Sequence, residues 1–210
     1  MKKLKLIATL VLLFFVTSNA FSQGDFFIHF GPSFPMSDFA DDDIFNDDAS
    51  GADVGLSVGV LLVYPLTKSG LGLFCGFDFN YNCLKKDVKD HIKKMLPDDA
   101  NITYHKYLNY PVSAGLNYGF QADEEVSFIG NIGLTANFSN TTDYVIEADN
   151  EDYRAEFDLA KSIGFKIGAG ILLKNKTSIE INYFGLGKHD LTGRIRYDGA
   201  IGKIENLFSF

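Results

Sequence analysis

A two-residue alternation recurs along nearly the whole chain and limits what it can fold into. Large apolar residues occupy every second position, and the positions between them hold mostly glycine, serine, asparagine or threonine. In "DVGLSVGVLLVY" the apolar positions are Val54, Leu56, Val58, Val60, Leu62 and Tyr64. Side chains of a β-strand point alternately to its two faces, so the pattern predicts strands with one large apolar face and one small polar face.

Eight segments follow this rule: residues 26–34, 53–64, 71–81, 107–120, 126–138, 159–173, 178–183 and 200–210. A soluble β-sandwich or lipocalin would bury its large residues and expose lysine and glutamate. A narrow membrane barrel does the opposite, because its apolar face meets lipid and its polar face fills the lumen. We therefore predict an all-β fold, an eight-stranded antiparallel up-and-down transmembrane β-barrel. A soluble periplasmic lipocalin-like binder is the alternative.

The connections between these segments alternate in length. Short connections are expected at 65–70, 121–125 and 174–177, and long ones at 35–52, 82–103, 139–158 and about 188–199. Outer-membrane barrels have short periplasmic turns and long extracellular loops, and eight strands reproduce that alternation. In the loop 82–103, the spacing of Val88, Ile92 and Met95 predicts a short amphipathic helix that ends before Pro97.

The N-terminus has the features of an export signal. Lys2, Lys3 and Lys5 precede an apolar run over 6–16, and residues 18–20 resemble a cleavage site. The run is too short for a spanning helix. We predict a cleaved signal peptide at 1–20 and a barrel domain at 21–210 in the outer membrane, with a retained N-terminal anchor as the alternative.

The exported chain is acidic. Removal of the three signal-peptide lysines changes the formal net charge from −8 to −11, which argues against a nucleic-acid partner. The acidic residues concentrate in the loops 35–52 and 139–158, whereas the helix between them is rich in lysine and could meet lipid phosphates or pair with the acidic loops. The acidic loops have two possible explanations: they keep the outer rim soluble, or they bind divalent cations weakly through their carboxylates. The EF-hand-like spacing of "NDDASG" fails at Ser57, where a bidentate carboxylate is needed.

The alternation of side chains between the two faces of each strand also predicts which residues face the lumen. Five charged residues would face inward and form an interior charge network: Asp78, Lys166, Glu180, Lys203 and Glu205. Charges in a narrow lumen need partners, so we expect salt bridges that plug the barrel. A narrow ion path is the functional alternative.

No arrangement of residues predicts catalysis, a cofactor or a metal centre. His29 should face the lumen, and His105 and His189 should lie at the outer rim, where lipid-modifying barrels keep their catalytic groups. No serine–histidine–acid set links them, so the chain is predicted to be non-enzymatic, with a lipid-modifying enzyme on the same barrel as the alternative. Cys75 and Cys83 would be about 26 Å apart if both lie in one extended segment, so they are expected to be free thiols unless the chain folds back directly after Cys75.

Two segments resemble a known family. "YLNYPVSAGLNYGF" (107–120) is similar to the central strand, and "INYFGLGKHDLTG" (181–193) to the penultimate strand and turn, of small outer-membrane β-barrel proteins of Bacteroidetes-type bacteria. These are often called PorT-like and belong with the eight-stranded OmpX- and OmpA-like barrels. The resemblance implies an outer-membrane barrel and says little about function.

The C-terminal segment "ENLFSF" is expected to close the barrel by pairing with the first strand, "FFIHF". Its lipid-facing residues resemble the signal by which assembly machinery recognises such barrels: Ile204, Phe208 and Phe210. We predict a monomer that contacts outer-membrane lipid and, during insertion, the barrel-assembly machinery. Its role would be surface interaction or envelope integrity.

Overall fold

The structure is a computed structural model that describes residues 24–41, 50–97, 99–148, 151–173, 177–187, 190–197 and 200–209. A short 3-10 helix spans Ser37–Phe39 and helix α1 spans Lys86–Lys94. The described strands are β1 Asp25–Ser33, β2 Gly55–Pro65, β3 Leu71–Cys83, β4 Asn101–Thr103, β5 Lys106–Asn109, β6 Val112–Gln121, β7 Val126–Thr141, β8 Tyr144–Ala148, β9 Glu151–Phe157, β10 Ala160–Leu173, β11 Ser178–Gly185, β12 Asp190–Tyr197 and β13 Ala200–Ser209.

The predicted all-β, antiparallel, barrel-like architecture is confirmed. The first sheet begins with β1, β2 and β3, continues with β5 and β6 side by side in one position, and ends with β7, β10 and β11. Every neighbouring pair is antiparallel. Strands β5 and β6 share one position between β3 and β7, because Pro111 has no N–H for the ladder. The Pro111 carbonyl still accepts from the Asp78 N–H at 2.9 Å, which keeps the two pieces aligned.

The alternation read from the sequence appears in the structure as an inverted wall. Along β2, β3, β6, β7 and β10 the large apolar residues are exposed and the small polar residues are buried. Asn82, Ser113 and Thr135, for example, are almost fully enclosed, whereas the exposed fraction of Ile163 is 79%. We call this seven-position sheet the barrel wall.

A second sheet continues the barrel wall beyond one end. Its order is β4, β8, β9, β12, β13, and β4, β8, β9 and β12 adjoin in sequence the wall strands β5, β7, β10 and β11. The predicted loops 139–158 and 188–199 are therefore wrong in part, since they contain strands. Alternating aromatic, β-branched and polar residues, such as those of "YVIEA" and "LTGRIRY", favour an extended backbone there.

The predicted closing pair is not present among the described strands. β13 pairs with β12 and not with β1, so the wall has free edges at β1 and β11. The expected eight-position barrel is thus seen with seven positions. A local reason exists: β12 and β13 are separated by two residues, and a hairpin costs far less loop entropy than closure with a strand at the other end of the chain.

A conventional apolar core lies at the same end of the wall as the second sheet. It contains buried Ala52, Leu84, Val88 and Tyr107, with Phe39, Ile92 and Tyr104 packed against it. The predicted helix is confirmed as α1 and covers this cluster with Val88 and Ile92, although Met95 is exposed. We call this unit the rim cap.

At the opposite end two of the three predicted short connections are confirmed, at 66–70 and 122–125, and the third, 174–177, lies mostly outside the described residues. Gly70 has a φ of 94° in the first of these turns and its position is crowded by the Gly119 carbonyl, so a side chain would strain it. Within the described residues, no helix combines the length and the hydropathy that crossing a membrane requires. Cys75 and Cys83 are both free, as expected.

Candidate functional site in the barrel interior

The interior of the wall holds a histidine–aspartate contact at its centre. His29 Nε2 on β1 lies 2.5 Å from Asp78 Oδ1 on β3. Gly59 on β2 stands between them as the register partner of both. A Cβ on Gly59 would lie 2.5 Å from the His29 nitrogen and 2.7 Å from the Asp78 oxygen. The small residue therefore makes room for the pair.

Lys166 reaches the same carboxylate from the far side of the wall. Its Nζ lies 3.5 Å from Asp78 Oδ2, and both side chains are only 1% exposed. Two inward-facing rings also flank this ammonium group, Phe184 at 4.8 Å and Phe74 at 6.0 Å from Nζ to the ring centroid. Cation–π contacts of this kind gain strength where water is excluded.

Glycines again create the space for these large side chains. A Cβ on Gly133 would lie 2.8 Å from Cζ of Phe74, so only glycine leaves room for that ring at this position. The small polar face predicted from the sequence is therefore not uniformly small. Glycines on this face lie next to a few large charged or aromatic groups. The lumen is too narrow for large side chains at every position, so each large group needs a small neighbour.

The three ionisable groups form a brace across the interior. Asp78 is on β3, His29 on β1 and Lys166 on β10, so a single carboxylate connects three separated positions of the wall. Removal of one partner of a buried ion pair leaves an uncompensated charge, which is far more costly than the pair itself. The arrangement is suited to holding the wall together.

Amide and hydroxyl side chains line the rest of the interior. Ser113 and Thr135 share a hydrogen bond at 2.9 Å, and Asn137 Nδ2 donates to Ser139 Oγ at 2.8 Å. A cross-strand row joins Asn117, Asn131, Gly168 and Asn182. In that row, the buried Oδ1 atoms of Asn131 and Asn182 have no hydrogen-bond partner among the described residues. These oxygens are acceptors available to a further donor.

The structure brings together only part of the predicted interior charge network. Asp78 and Lys166 are in contact, and Glu180 instead accepts from Ser178 Oγ at 2.8 Å. Lys203 and Glu205 lie on β13 in the second sheet, where Lys203 has Arg194 as its register partner. Their side chains fall outside the described part of the chain. The same holds for Ile204 and Phe208 of the predicted insertion signal, and Phe210 lies wholly outside it.

His29 is the member of the brace that the predicted charge network did not include. The sequence placed it in the lumen without a partner. The signal was the glycine at position 59, because an inward glycine opposite an inward histidine leaves space for the ring to reach the next strand. Phe74 and Phe184 were also missed, since an inward phenylalanine breaks the rule that large residues face outward.

His105 is not accessible at the outer rim, where a lipid-modifying enzyme would need it. It is buried in the rim cap, with Nε2 2.9 Å from the hydroxyl of Tyr107, and that hydroxyl donates to the Ser50 carbonyl. Tyr107 therefore accepts from the histidine N–H. Burial, with a smaller contribution from Lys89, lowers the pKa of His105 to about 4. His189 lies outside the described residues.

No group of three or more histidine, cysteine, aspartate or glutamate side chains in the described ranges is arranged to hold a metal ion. The acidic stretch 42–49 of the first long loop, with most of the predicted cation ligands, lies outside those ranges. Weak divalent-cation binding by the acidic loops therefore stays a prediction.

Comparison with known proteins adds no relative: no family model matches the chain, and a search of curated proteins finds no match.

Proposed function

We propose that this protein is an integral outer-membrane β-barrel without enzymatic activity, exported by a cleaved signal peptide, whose charged outer segments serve surface interaction or envelope integrity. The observation that carries the proposal is the inversion of the wall. A large apolar exterior surrounds a buried interior of charged, amide and hydroxyl groups. Such an arrangement is stable in lipid and unfavourable in water.

The exposed apolar residues are not isolated, because they recur on most strands of the wall. Monomeric soluble proteins seldom expose a contiguous apolar patch beyond a few hundred Å². Here the exposed residues recur on neighbouring wall strands: Phe26, Ile28, Phe30, Leu56, Val58, Leu73, Phe77, Val112, Leu116, Phe128, Ile132, Leu134, Ile163, Phe165, Ile167, Ile179 and Ile181. A continuous belt of this kind fits the hydrocarbon core of a bilayer.

The interior supports a structural role over catalysis. Asp78 is almost fully buried and its carboxylate contacts His29 and Lys166, which is the arrangement expected of a group that holds strands together. His105 is enclosed in the rim cap and is not poised at the surface for lipid chemistry. We further propose a monomer with no cofactor, which contacts outer-membrane lipid and the barrel-assembly machinery and does not bind nucleic acid.

Membrane insertion is the property to test first. The full chain should fractionate with the outer membrane, resist alkaline extraction and float with phospholipid vesicles after reconstitution. Its gel mobility should also change on boiling, because compact barrels migrate faster than their unfolded forms. Recovery of a folded monomer in the soluble periplasmic fraction would overturn the proposal in favour of the lipocalin-like binder.

The non-enzymatic part has a separate test. Membranes from cells with and without the gene should have the same lipid A profile. A difference that disappears in a His105→Gln, His189→Gln double variant would establish the lipid-modifying alternative instead.

A further inference from the structure

Two buried amide oxygens on the inner face of the wall converge on one glycine. Gly168 on β10 has Asn131 of β7 as its register partner on one side and Asn182 of β11 on the other. A Cβ on Gly168 would lie 2.6 Å from Asn131 Oδ1 and 2.2 Å from Asn182 Oδ1. The two oxygens are therefore no farther apart than the sum of these distances, and the glycine leaves a small space between them.

Both oxygens lack a donor. Each is enclosed and has no hydrogen-bond partner among the described residues, and Asn131 as a whole is only 5% exposed. A buried oxygen without a donor destabilises a fold, so each such atom in a native protein calls for a ligand, an ion or a water molecule. Because the two oxygens are close together, one small group over Gly168 would satisfy both.

A carboxylate lies beside the same space. Glu180 is two residues from Asn182 on β11, and a Cβ on Gly170 would lie 2.7 Å from Glu180 Cγ, so this side chain extends over the next inward glycine of β10. No basic side chain of the described residues forms an ion pair with Glu180, since Lys166 is paired with Asp78. The space between the two amides is therefore next to a negative charge that no described basic group balances.

Cavities lead to this carboxylate from both ends of the wall. A cavity of about 510 Å³ at the turn end is lined by Asn117, the register partner of Asn131. A cavity of about 650 Å³ on the side of the rim cap is lined by Asn182. Glu180 lines both cavities, so a small ion that enters either of them meets this carboxylate.

We propose that the lumen binds one monovalent metal cation, Na⁺ or K⁺, between Asn131 Oδ1 and Asn182 Oδ1, with Glu180 as the counter-charge. Amide oxygens replace part of the hydration shell of such an ion, as backbone carbonyls do in channel filters. A single carboxylate balances a single charge, whereas Ca²⁺ takes about six to eight oxygen ligands and Mg²⁺ keeps several of its waters. The site uses only β7, β10 and β11, so it does not depend on membrane insertion.

Unfolding at constant ionic strength tests for the ion. The full chain in detergent micelles is unfolded by urea in KCl, in NaCl and in N-methylglucamine chloride, whose cation is too large for the space. With a dissociation constant of about 20 mM, about 0.2 M of the bound ion should raise the ratio of folded to unfolded protein roughly tenfold over N-methylglucamine. The difference between KCl and NaCl identifies the preferred ion. Equal ratios in all three salts would overturn the inference.

Two variants place the effect at this site. Gly168→Ala puts a methyl group into the space, and Asn182→Leu removes one of the two oxygens, so each should abolish the salt effect. Gly119→Ala is the matched control, because a Cβ on this inward glycine would lie 4.0 Å from its nearest neighbour, the Gly70 carbonyl oxygen. This control should keep the effect. A salt effect that persists in both site variants would mean that the ion binds elsewhere, and would refute the site.

Anomalous diffraction from wild-type crystals grown in Rb⁺, a substitute for K⁺, decides the matter if the variants fail to fold. We expect a rubidium peak over Gly168 in contact with both Oδ1 atoms. A water molecule at this position would overturn the inference. So would an Asn131 amide that is turned to donate directly to Asn182 Oδ1. Because the ion and membrane insertion are measured separately, either result leaves the proposed function intact.

Discussion

The barrel wall and the rim cap bury opposite kinds of residue. In the wall, the enclosed groups are Asp78 and Lys166 with surrounding amides, His29 is partly exposed beside them, and the large aliphatic side chains are exposed. In the cap, Val88 and Tyr107 are enclosed with other apolar groups, and the lysines of α1 are mostly exposed. The two units are continuous in the chain, since β3 leads directly into the loop that carries α1.

The contrast follows from one physical rule applied in two surroundings. In the proposed membrane location the exposed apolar side chains of the wall would face lipid, whereas the apolar side chains of the cap pack against other protein groups. The polar interior of the wall then needs specific hydrogen bonds and ion pairs, because burial alone does not favour it. The cap gains from burial directly. Stability in the wall should therefore depend on a few polar contacts, and stability in the cap on apolar packing and on a neutral histidine.

The largest effect should come from the wall's central carboxylate. Asp78→Asn leaves Lys166 as a buried charge without its counter-ion, which should lower the free energy of unfolding by about 3–5 kcal/mol. Adding Lys166→Met removes that charge and should restore much of the loss. Equilibrium unfolding by urea in phospholipid bilayers measures both. Glu124→Gln, a charge removal in the exposed turn at 122–125, should change stability by less than about 0.5 kcal/mol.

Equal losses from the single and double variants would contradict the brace, because they would mean that Lys166 is stable without Asp78.

The second prediction compares the cost of the same substitution, to arginine, at one exposed position of the wall and one of the cap. Ile132 on β7 and Met95 after α1 are similarly exposed, at 57% and 62%. Ile132→Arg should cost about 2–4 kcal/mol in a bilayer, since its partners Leu116 and Ile167 place it near the middle of the apolar belt. Met95→Arg should be close to neutral, because water surrounds that position. Similar costs at both sites, measured by the same unfolding experiment, would show that the wall does not face lipid.

The two faces of the wall strands could be predicted from the sequence because the two-residue alternation lies within each strand. Parity within a strand decides which face a residue occupies, so the inward positions of Asp78 and Lys166 could be predicted without knowing any pairing. The alternation does not show which residues of different strands lie at the same level along the barrel axis. The register across strands determines that Asp78 meets His29 and Lys166, and register depends on turns and packing that a single sequence does not reveal.

The cap was harder to predict for a different reason. The helix followed from the spacing of Val88 and Ile92, but its docking site did not. Tyr107 bonds to the Ser50 carbonyl 57 residues earlier in the chain, and His105 adds to that contact. Contacts between loops carry no periodicity, so the burial of His105 could not be predicted. The second sheet was missed because its strands are short and mix charged residues with aromatic and β-branched ones, so no long apolar alternation marks them.

The smallest expected effect is a pH dependence confined to the cap. The pKa of His105 is lowered to about 4 by burial, against an ordinary value of 6.5. Below pH 6.5 the opened cap binds a proton that the closed cap excludes, so closure weakens as the pH falls toward 4 and is constant above 6.5. Between pH 6.5 and 5 the loss should be roughly 2 kcal/mol. Amide hydrogen exchange of α1, corrected for its intrinsic pH dependence, should show this opening, while the amides of β7 should not respond.

His105→Gln is the matched control, because a glutamine amide can still donate to the Tyr107 hydroxyl and does not titrate in this range. The pH dependence of α1 exchange should disappear in this variant. If it persists unchanged, another group controls the cap. If instead β7 opens together with α1, the wall and the cap unfold as one unit, and the division between a polar-cored wall and an apolar-cored cap does not extend to their energetics.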